Sequence, residues 1–421
     1  MAVYKIFPNK DATLYSRTPF KNTGRDEILE VSVKNSQDYL RYTGKVPIET
    51  SPYYEYDYAY NEYYNTTTPA PFEDLSRSII SFSNSDITKL KSLSSSSFKA
   101  NLRMYLAFAQ NLSEDYTLEC YPLSQSWDMG TGKFADFPYN NTGTSWVYTG
   151  QAQNSPIWSA ASGTMSYLYT TGGGSWNQTL QSTQSFEYTS DKDINLDVTE
   201  IVDYWFSGSA NYGLIVKHSA SLELNTSSFM DLKFFSMDTH TIYPPCIDYK
   251  WDDSTYYLSP SNTKYVITND FVLLLENNPG TFKEGSIYQF RMKARDKYPA
   301  RQFTTSSVYL NWKYLPENSY WAIQDYKTEE MIIDFDENYT KVSADYYGNY
   351  FNIYMNGLQP ERYYKILVKT RIYYTSYGPL SLYDNEDAIY DALNTYSPEE
   401  LDSLPYQEVI VDNDLIFKIT R

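Results

Sequence analysis

The sequence predicts an all-β chain, and three observations carry that expectation. Apolar residues recur at alternate positions, as in Ala100-Asn101-Leu102-Arg103-Met104-Tyr105-Leu106, which is the period of a strand with one face buried. Tyrosine, whose ring suits a pleated and half-buried surface, occurs 46 times in 421 residues. Runs of Gly, Asn, Ser and Thr cut the chain at short intervals, and helical signals are confined to 197–206 and 384–404.

Residues 4–35 alternate as strands around a turn at Thr23-Gly24, with Ile28, Leu29, Val31 and Val33 following it. Residues 53–64 alternate tyrosine with acid between Pro52 and Pro69-Ala70-Pro71. They read as an extended, exposed loop or edge whose acids guard it against pairing. Strands are expected at 77–82, 100–106 and 116–121, the first two separated by the serine stretch 92–97. From 126 to 174 the chain is loop-rich and carries Trp127, Trp146 and Trp158, with Trp176 just beyond. Gly172-Gly173-Gly174 marks a flexible turn. Residues 197–206 predict one short helix, capped by Asp197 or Thr199, with Ile201, Val202 and Trp205 on one face. Residues 214–216 form a buried strand, and His218 is expected to end it at the surface.

Composition shifts near residue 240, where Pro244-Pro245 interrupts the chain. Strands are then expected at 264–268, 272–275 and 286–295 and, past a hinge near 311–316, at 331–335, 349–355 and 363–369. Residues 384–404 read as a helical insertion, since Ser397-Pro398-Glu399-Glu400 makes a good helix start. Residues 409–411 and 415–419 read as a hairpin turning at Asp412-Asn413-Asp414. One repeat is visible: Tyr288, Phe290, Met292, Lys293 and Arg295 align with Tyr364, Ile366, Val368, Lys369 and Arg371. The turn before the second copy, 358–363, resembles one found before a late strand in immunoglobulin-like sandwiches. The expected domains are a large sandwich over 1–240 and two smaller immunoglobulin-like sandwiches over 241–312 and 313–421.

The formal net charge of −18 argues against a nucleic-acid partner, because phosphate neutralisation needs clustered Lys and Arg. Cys120 and Cys246 read as free thiols. The opening Met1-Ala2-Val3-Tyr4-Lys5 has no apolar signal core, and no window has transmembrane length. Export by the ordinary secretory route and membrane insertion are therefore not expected. The two histidines, His218 and His240, come with no nucleophile elbow and no zinc-ligand spacing. A catalytic role is not expected. Asp252-Asp253, Asp334 with Asp336 and Glu337, and Asp412 with Asp414 offer oxygen ligands for calcium but lack EF-hand spacing, so no cofactor is predicted. The surplus of tyrosine points to interfaces. The candidate interface residues are Tyr53, Tyr54, Tyr56, Tyr58, Tyr60, Tyr63 and Tyr64. Trp127, Trp146 and Trp205 are expected in the core, while Trp158 and Trp176 are candidate glycan contacts. Lys10, Asp11, Asn22, Gly24 and Arg77 are expected to support turns and buried polar contacts.

A set of short segments in order, over residues 4–218, resembles the DNRLRE family of jelly-roll-like modules. They are Lys10-Asp11-Ala12, Asn22-Thr23-Gly24, Arg77-Ser78-Ile79-Ile80-Ser81-Phe82 and Ala100-Asn101-Leu102-Arg103-Met104-Tyr105. Ser126-Trp127-Asp128-Met129-Gly130, Gly143-Thr144-Ser145-Trp146 and the pattern Asp197-Val198-Thr199, Val202, Trp205 complete the set. The Tyr-rich loop and residues 150–175 depart from the pattern as insertions. The part beyond, from Tyr298-Pro299 to Gly357-Leu358, resembles structural proteins of large contractile-tailed phages, especially marine ones. The resemblance implies a non-enzymatic virion component in the tail, baseplate, neck or fibre attachment. It would be assembled in the host cytoplasm against other virion proteins or further copies of itself. The alternatives are a carbohydrate-binding adhesin that holds host surface glycans and a polysaccharide-degrading enzyme.

Overall fold

The computed structural model describes the chain apart from residues 1, 17, 35–53, 58–61, 66–73, 94–96, 113–114, 152–153, 160–171, 188, 224–228, 258–264, 267–268, 277, 299–311, 376–377 and 380–404. For 54–57, 62–65, 74, 373–375 and 378–379 it describes the backbone alone. The expected helix over 384–404 and its start at Ser397 lie outside the described residues, as do Tyr53, Tyr58 and Tyr60.

The described chain is all-β, as the alternation predicts. In order the strands are β1 Ala2–Ile6, β2 Lys10–Tyr15, β3 Ile28–Lys34, β4 Tyr54–Asp57, β5 Glu62–Asn65, β6 Asp74–Ser81, β7 Phe98–Met104, β8 Leu106–Gln110, β9 Tyr116–Pro122, β10 Ser182–Phe186, β11 Ile194–Asp197 and β12 Leu214–His218. They continue with β13 Met230–Phe235, β14 Cys246–Trp251, β15 Phe271–Glu276, β16 Thr281–Lys283, β17 Ile287–Asp296, β18 Ser319–Asp325, β19 Met331–Ile333, β20 Ser343–Asp345, β21 Gly348–Tyr354, β22 Tyr363–Thr375, β23 Gly378–Pro379 and β24 Tyr406–Thr420. Short helices interrupt them: α1 Asn84–Leu93, α2 Thr199–Phe206 and α3 Ala220–Glu223. Among the described residues no helix is long and apolar enough to cross a membrane.

The chain divides into two compact units. An inner unit comprises Ile6–Leu93 and Lys99–Tyr249, and a split unit comprises Met1–Lys5, Ser94–Phe98 and Lys250–Arg421. The inner unit is built on a curled sheet in the order β10-β9-β12-β6-β3-β13-β8, with β2 also paired to β6. Its central strands are buried on both faces: Ser78, Ile79 and Ile80 of β6 and all five residues of β12 are inaccessible or nearly so. That explains His218. The sequence placed it at the surface, yet it closes a strand flanked on both sides by β9 and β6 and is 1% exposed.

Helix α2 buries Ile201, Val202, Trp205 and Phe206, and Asp197 accepts the Thr199 amide at 3.0 Å. Helix α1 was not expected. Its signal is a capping serine: Ser83 Oγ accepts the Asp86 amide at 3.1 Å and donates to the Asp86 carboxylate at 2.6 Å. Ile87 and Leu90 then face inward.

The split unit is one sandwich. One sheet runs β15-β17-β21-β20, the other β16-β24-β22-β18-β19. Phe282, Phe290, Trp321, Phe351, Ile366, Val368 and Phe417 meet in a single core. The expected boundary at 312/313 therefore gives way, because β17 pairs β21 from Ile287↔Tyr354 to Met292↔Asn349 and two separate small domains cannot share that ladder. The repeat acquires a physical meaning: β17 and β22 are each flanked on both sides by other strands of their own sheet, so both carry inward apolar residues at alternate positions. Tyr364 fastens the turn before β22, accepting the Gln359 amide at 2.7 Å and donating to its carbonyl at 3.3 Å. This is the bonding of a tyrosine corner. The expected hairpin at Asp412-Asn413-Asp414 is instead a bulge inside one long strand. β24 pairs β22 from Lys418↔Tyr363 to Tyr406↔Tyr373, with a register shift between Ile366 and Val368. Asp414 takes a φ of 52° there, and Lys365 lies 2.5 Å from Asp412 and 3.4 Å from Asp414.

Candidate interaction surfaces

In the inner unit the tryptophan-bearing loops cover one face of the sheet. Trp127, Trp146, Val147 and Trp158 form a core with Ala12, Leu14, Ile79 and Ile215. Asn22 holds those loops down. Its amide donates to the carbonyls of Met129 at 2.8 Å and Thr144 at 2.9 Å, and its Oδ1 accepts the Gly132 amide at 2.8 Å. A Cβ at Gly143 would stand 2.4 Å from the Gly130 Cα, so this crossing of backbones needs glycine. Lys10 adds a bond to the Trp127 carbonyl at 2.9 Å.

Trp158 is not a glycan platform. It is fully buried, and its indole N–H is satisfied by the Ser145 carbonyl at 2.9 Å. Trp176 is half-buried, with the Arg77 guanidinium 5.3 Å, the Lys217 ammonium 5.8 Å and the Tyr121 ring 5.9 Å away. Those groups occupy the surroundings a sugar would need.

Below Trp176 lies a buried charge cluster. Arg77 donates Nε and Nη2 to the two oxygens of Glu223, each at 2.8 Å, and Nη1 to the carbonyls of Gly172 at 3.2 Å and Gly173 at 3.0 Å. Lys217 lies 2.9 Å from Glu119 and 3.6 Å from Glu223. Burial pushes the Glu223 carboxyl up, but Arg77 and then Lys217 more than offset it, and the group stays ionised, below its ordinary range. Burial takes the neighbouring His218 down to about 4. Its Nε2 lies 3.2 Å from the Val31 carbonyl, a backbone partner and not a nucleophile. The cluster fixes α3 and the glycine turn to the sheet.

The split unit presents aromatic residues outward. Asp345↔Gly348 closes the β20–β21 hairpin, which leaves Tyr346 and Tyr347 at its tip, 81% and 64% exposed. Asp345 braces the turn. It accepts the Tyr347 amide at 2.8 Å and a two-pronged bond from Arg291 at 2.8 and 2.7 Å. The Arg291 bond holds its carboxyl below the usual range. The Arg291 guanidinium lies 5.7 Å from the Tyr347 ring and 5.1 Å from that of Tyr350. Tyr314 donates to the Tyr346 carbonyl at 3.1 Å and meets Trp312 edge-on at 4.7 Å, with Lys293 5.2 Å from the Trp312 ring. Of these residues the sequence singles out Lys293 alone, and only as part of the repeat, although Asp345-x-x-Gly348 is a turn signal.

Of the expected interface tyrosines, Tyr54 and Tyr56 fall on β4 and Tyr63 and Tyr64 on β5. The two strands form an antiparallel pair with Tyr56 opposite Tyr63 and Glu55 opposite Tyr64. The paired acids serve turns: Asp252 accepts the Ser254 amide at 2.8 Å and Asp336 the Asn338 amide at 2.9 Å. Among the described residues no group of three or more His, Cys, Asp or Glu is placed to hold a metal ion. Cys120 and Cys246 are free and buried. No family model, curated protein or solved structure matches the chain.

Proposed function

We propose that this chain is a non-enzymatic structural component of a tailed-phage virion, acting through protein–protein contacts with other virion proteins or with further copies of itself. The observation that carries the reading is the braced tip Tyr346-Tyr347. Two large rings stand in solvent on a turn fixed by Asp345 and Arg291. Such rings cost little side-chain entropy on docking, and Tyr and Arg dominate the energetic centres of interfaces. The β4–β5 hairpin adds a second tyrosine-rich element. The glycan-binding alternative loses Trp158 to the core and finds Trp176 already surrounded.

The test is electron microscopy of infected-host lysate labelled with an antibody against the chain. Labelling at a fixed place on particles is the expected result and would name the location. Label confined to the cell envelope, with particles clean, would overturn the reading.

A further inference from the structure

Within the buried charge cluster of the inner unit, one contact joins two neighbouring strands. Lys217 of β12 and Glu119 of β9 are direct partners in the ladder, so their side chains leave the same face of the sheet opposite each other. The Lys217 ammonium meets Glu119 Oε2 at 2.9 Å, and the two side chains are only 4% and 12% exposed. The rings of Trp176 and Tyr121 stand 5.8 and 5.9 Å from the ammonium and shield it. Two further groups bear on the contact. The Tyr121 hydroxyl donates to Glu119 Oε2 at 3.1 Å, which polarises the carboxyl group. Glu223 lies 3.6 Å from the ammonium and is held in place by Arg77 through both its oxygens. A primary amine, a carboxyl carbon, a hydroxyl donor and a second carboxylate thus converge in a site largely closed to water.

We propose that Lys217 and Glu119 condense to an amide, a covalent cross-link between β12 and β9. A proton passes from Nζ to the Glu119 carboxylate across their contact, which leaves a neutral amine beside a carboxylic acid. The Nζ lone pair attacks Cδ and forms the C–N bond. Glu223 takes a second Nζ proton and returns it to the departing hydroxyl, which leaves as water when the C–O bond breaks. The ammonium's three protons end as one on the amide and two on the water, and no oxidant or co-reactant is needed. Groups held in contact in this way react at effective concentrations of about 10⁵–10⁸ M. The product also suits the site. Two charges that burial penalises disappear, and the remaining N–H keeps the His218 carbonyl to which Nζ donates at 2.8 Å. Glu223 keeps its two-pronged bond from Arg77, so the interior stays neutral.

The test is the intact mass of the folded full chain, followed by protease digestion and tandem mass spectrometry. The expected mass is that of the sequence less one water. The expected digest contains a branched peptide that joins Glu119 to Lys217. Lys217→Arg keeps the cation but offers no primary amine, so it should show the full sequence mass and melt at a lower temperature than the wild type. A wild-type chain at full sequence mass, a lost water that maps to other residues, or a water loss that persists in Lys217→Arg would each overturn the inference. The branched peptide from the wild type decides the matter even where the variant does not fold.

Discussion

The two units use their largest aromatic residues differently. The inner unit turns Trp127, Trp146 and Trp158 into the sheet and needs a polar hub, Asn22, to pin the loops that carry them. The split unit fills its sandwich with Phe, Trp321 and aliphatic residues and leaves Tyr346, Tyr347 and Tyr257 standing in solvent at 81%, 64% and 77%. The difference teaches that an aromatic-rich composition is not one signal. Where loops must cover a sheet face, large rings are the cheapest way to bury area with few residues. Where two sheets already cover each other, further rings can stand outside without loss to the core.

That contrast can be broken at its strongest point first. Trp146→Ala should lower the unfolding free energy by about 3–5 kcal/mol, since a fully buried ring is lost and the glycine turn at 172–173 packs against it. Denaturant titration measures it, and a loss under 1 kcal/mol would mean that the loop layer is dispensable. Next is Arg77→Met, which strands the ionised Glu223 in the interior and should cost about 3–5 kcal/mol. The pair Arg77→Met with Glu223→Leu should recover most of that loss, because apolar replacement of a buried ion pair is often neutral.

A third prediction concerns pH. Burial raises Asp11 from 3.8 to about 7, with Asp238 adding and the Met237 amide and Arg25 opposing. The folded state thus keeps a proton that the unfolded chain releases. The stability this contributes is full below about 4 and is lost as pH rises through about 7. Asp11→Asn, which can still accept the Met237 amide, should match the wild type near pH 4 and exceed it by a few kcal/mol at pH 8. His218, lowered from 6.5 to about 4, works in the opposite sense in both proteins, adding stability as pH rises from about 4 to about 6.5. Thermal melts across that range separate the two. The smallest expected effect on folding is that of Tyr346→Ala and Tyr347→Ala, within about 0.5 kcal/mol. The same changes should abolish particle association in a co-sedimentation assay.

The strands were legible because alternation is local. Residues 100–106 and 116–121 could be placed without knowing their neighbours. Asn22, Gly24 and Arg77 also stood out as supports, since a turn motif or an isolated cation in an apolar strand is visible in the chain itself. What did not show was anything set by partners far away in sequence. Whether 271–296 and 319–420 make two sandwiches or one depends on β17 meeting β21. Whether Trp158 is platform or core depends on Ser145 reaching its N–H. Asp412-Asn413-Asp414 has a turn's composition but bulges out where the β22–β24 register shifts between Ile366 and Val368, and the Lys365 ammonium reaches both Asp412 and Asp414. The exposed tip at 346–347 could have been found from Asp345 and Gly348 flanking two tyrosines.

Met1–Lys5 belongs to the same unit as Lys250–Arg421, and Val3 shares its core with Phe271, Leu358 and Ile419. During synthesis that short segment leaves the ribosome long before the residues it must pack against exist. At ordinary translation rates the interval is roughly ten to fifty seconds. A nascent chain of this design keeps Val3 waiting for Phe271, Leu358 and Ile419, so the core of the split unit is completed only once residue 419 has been made.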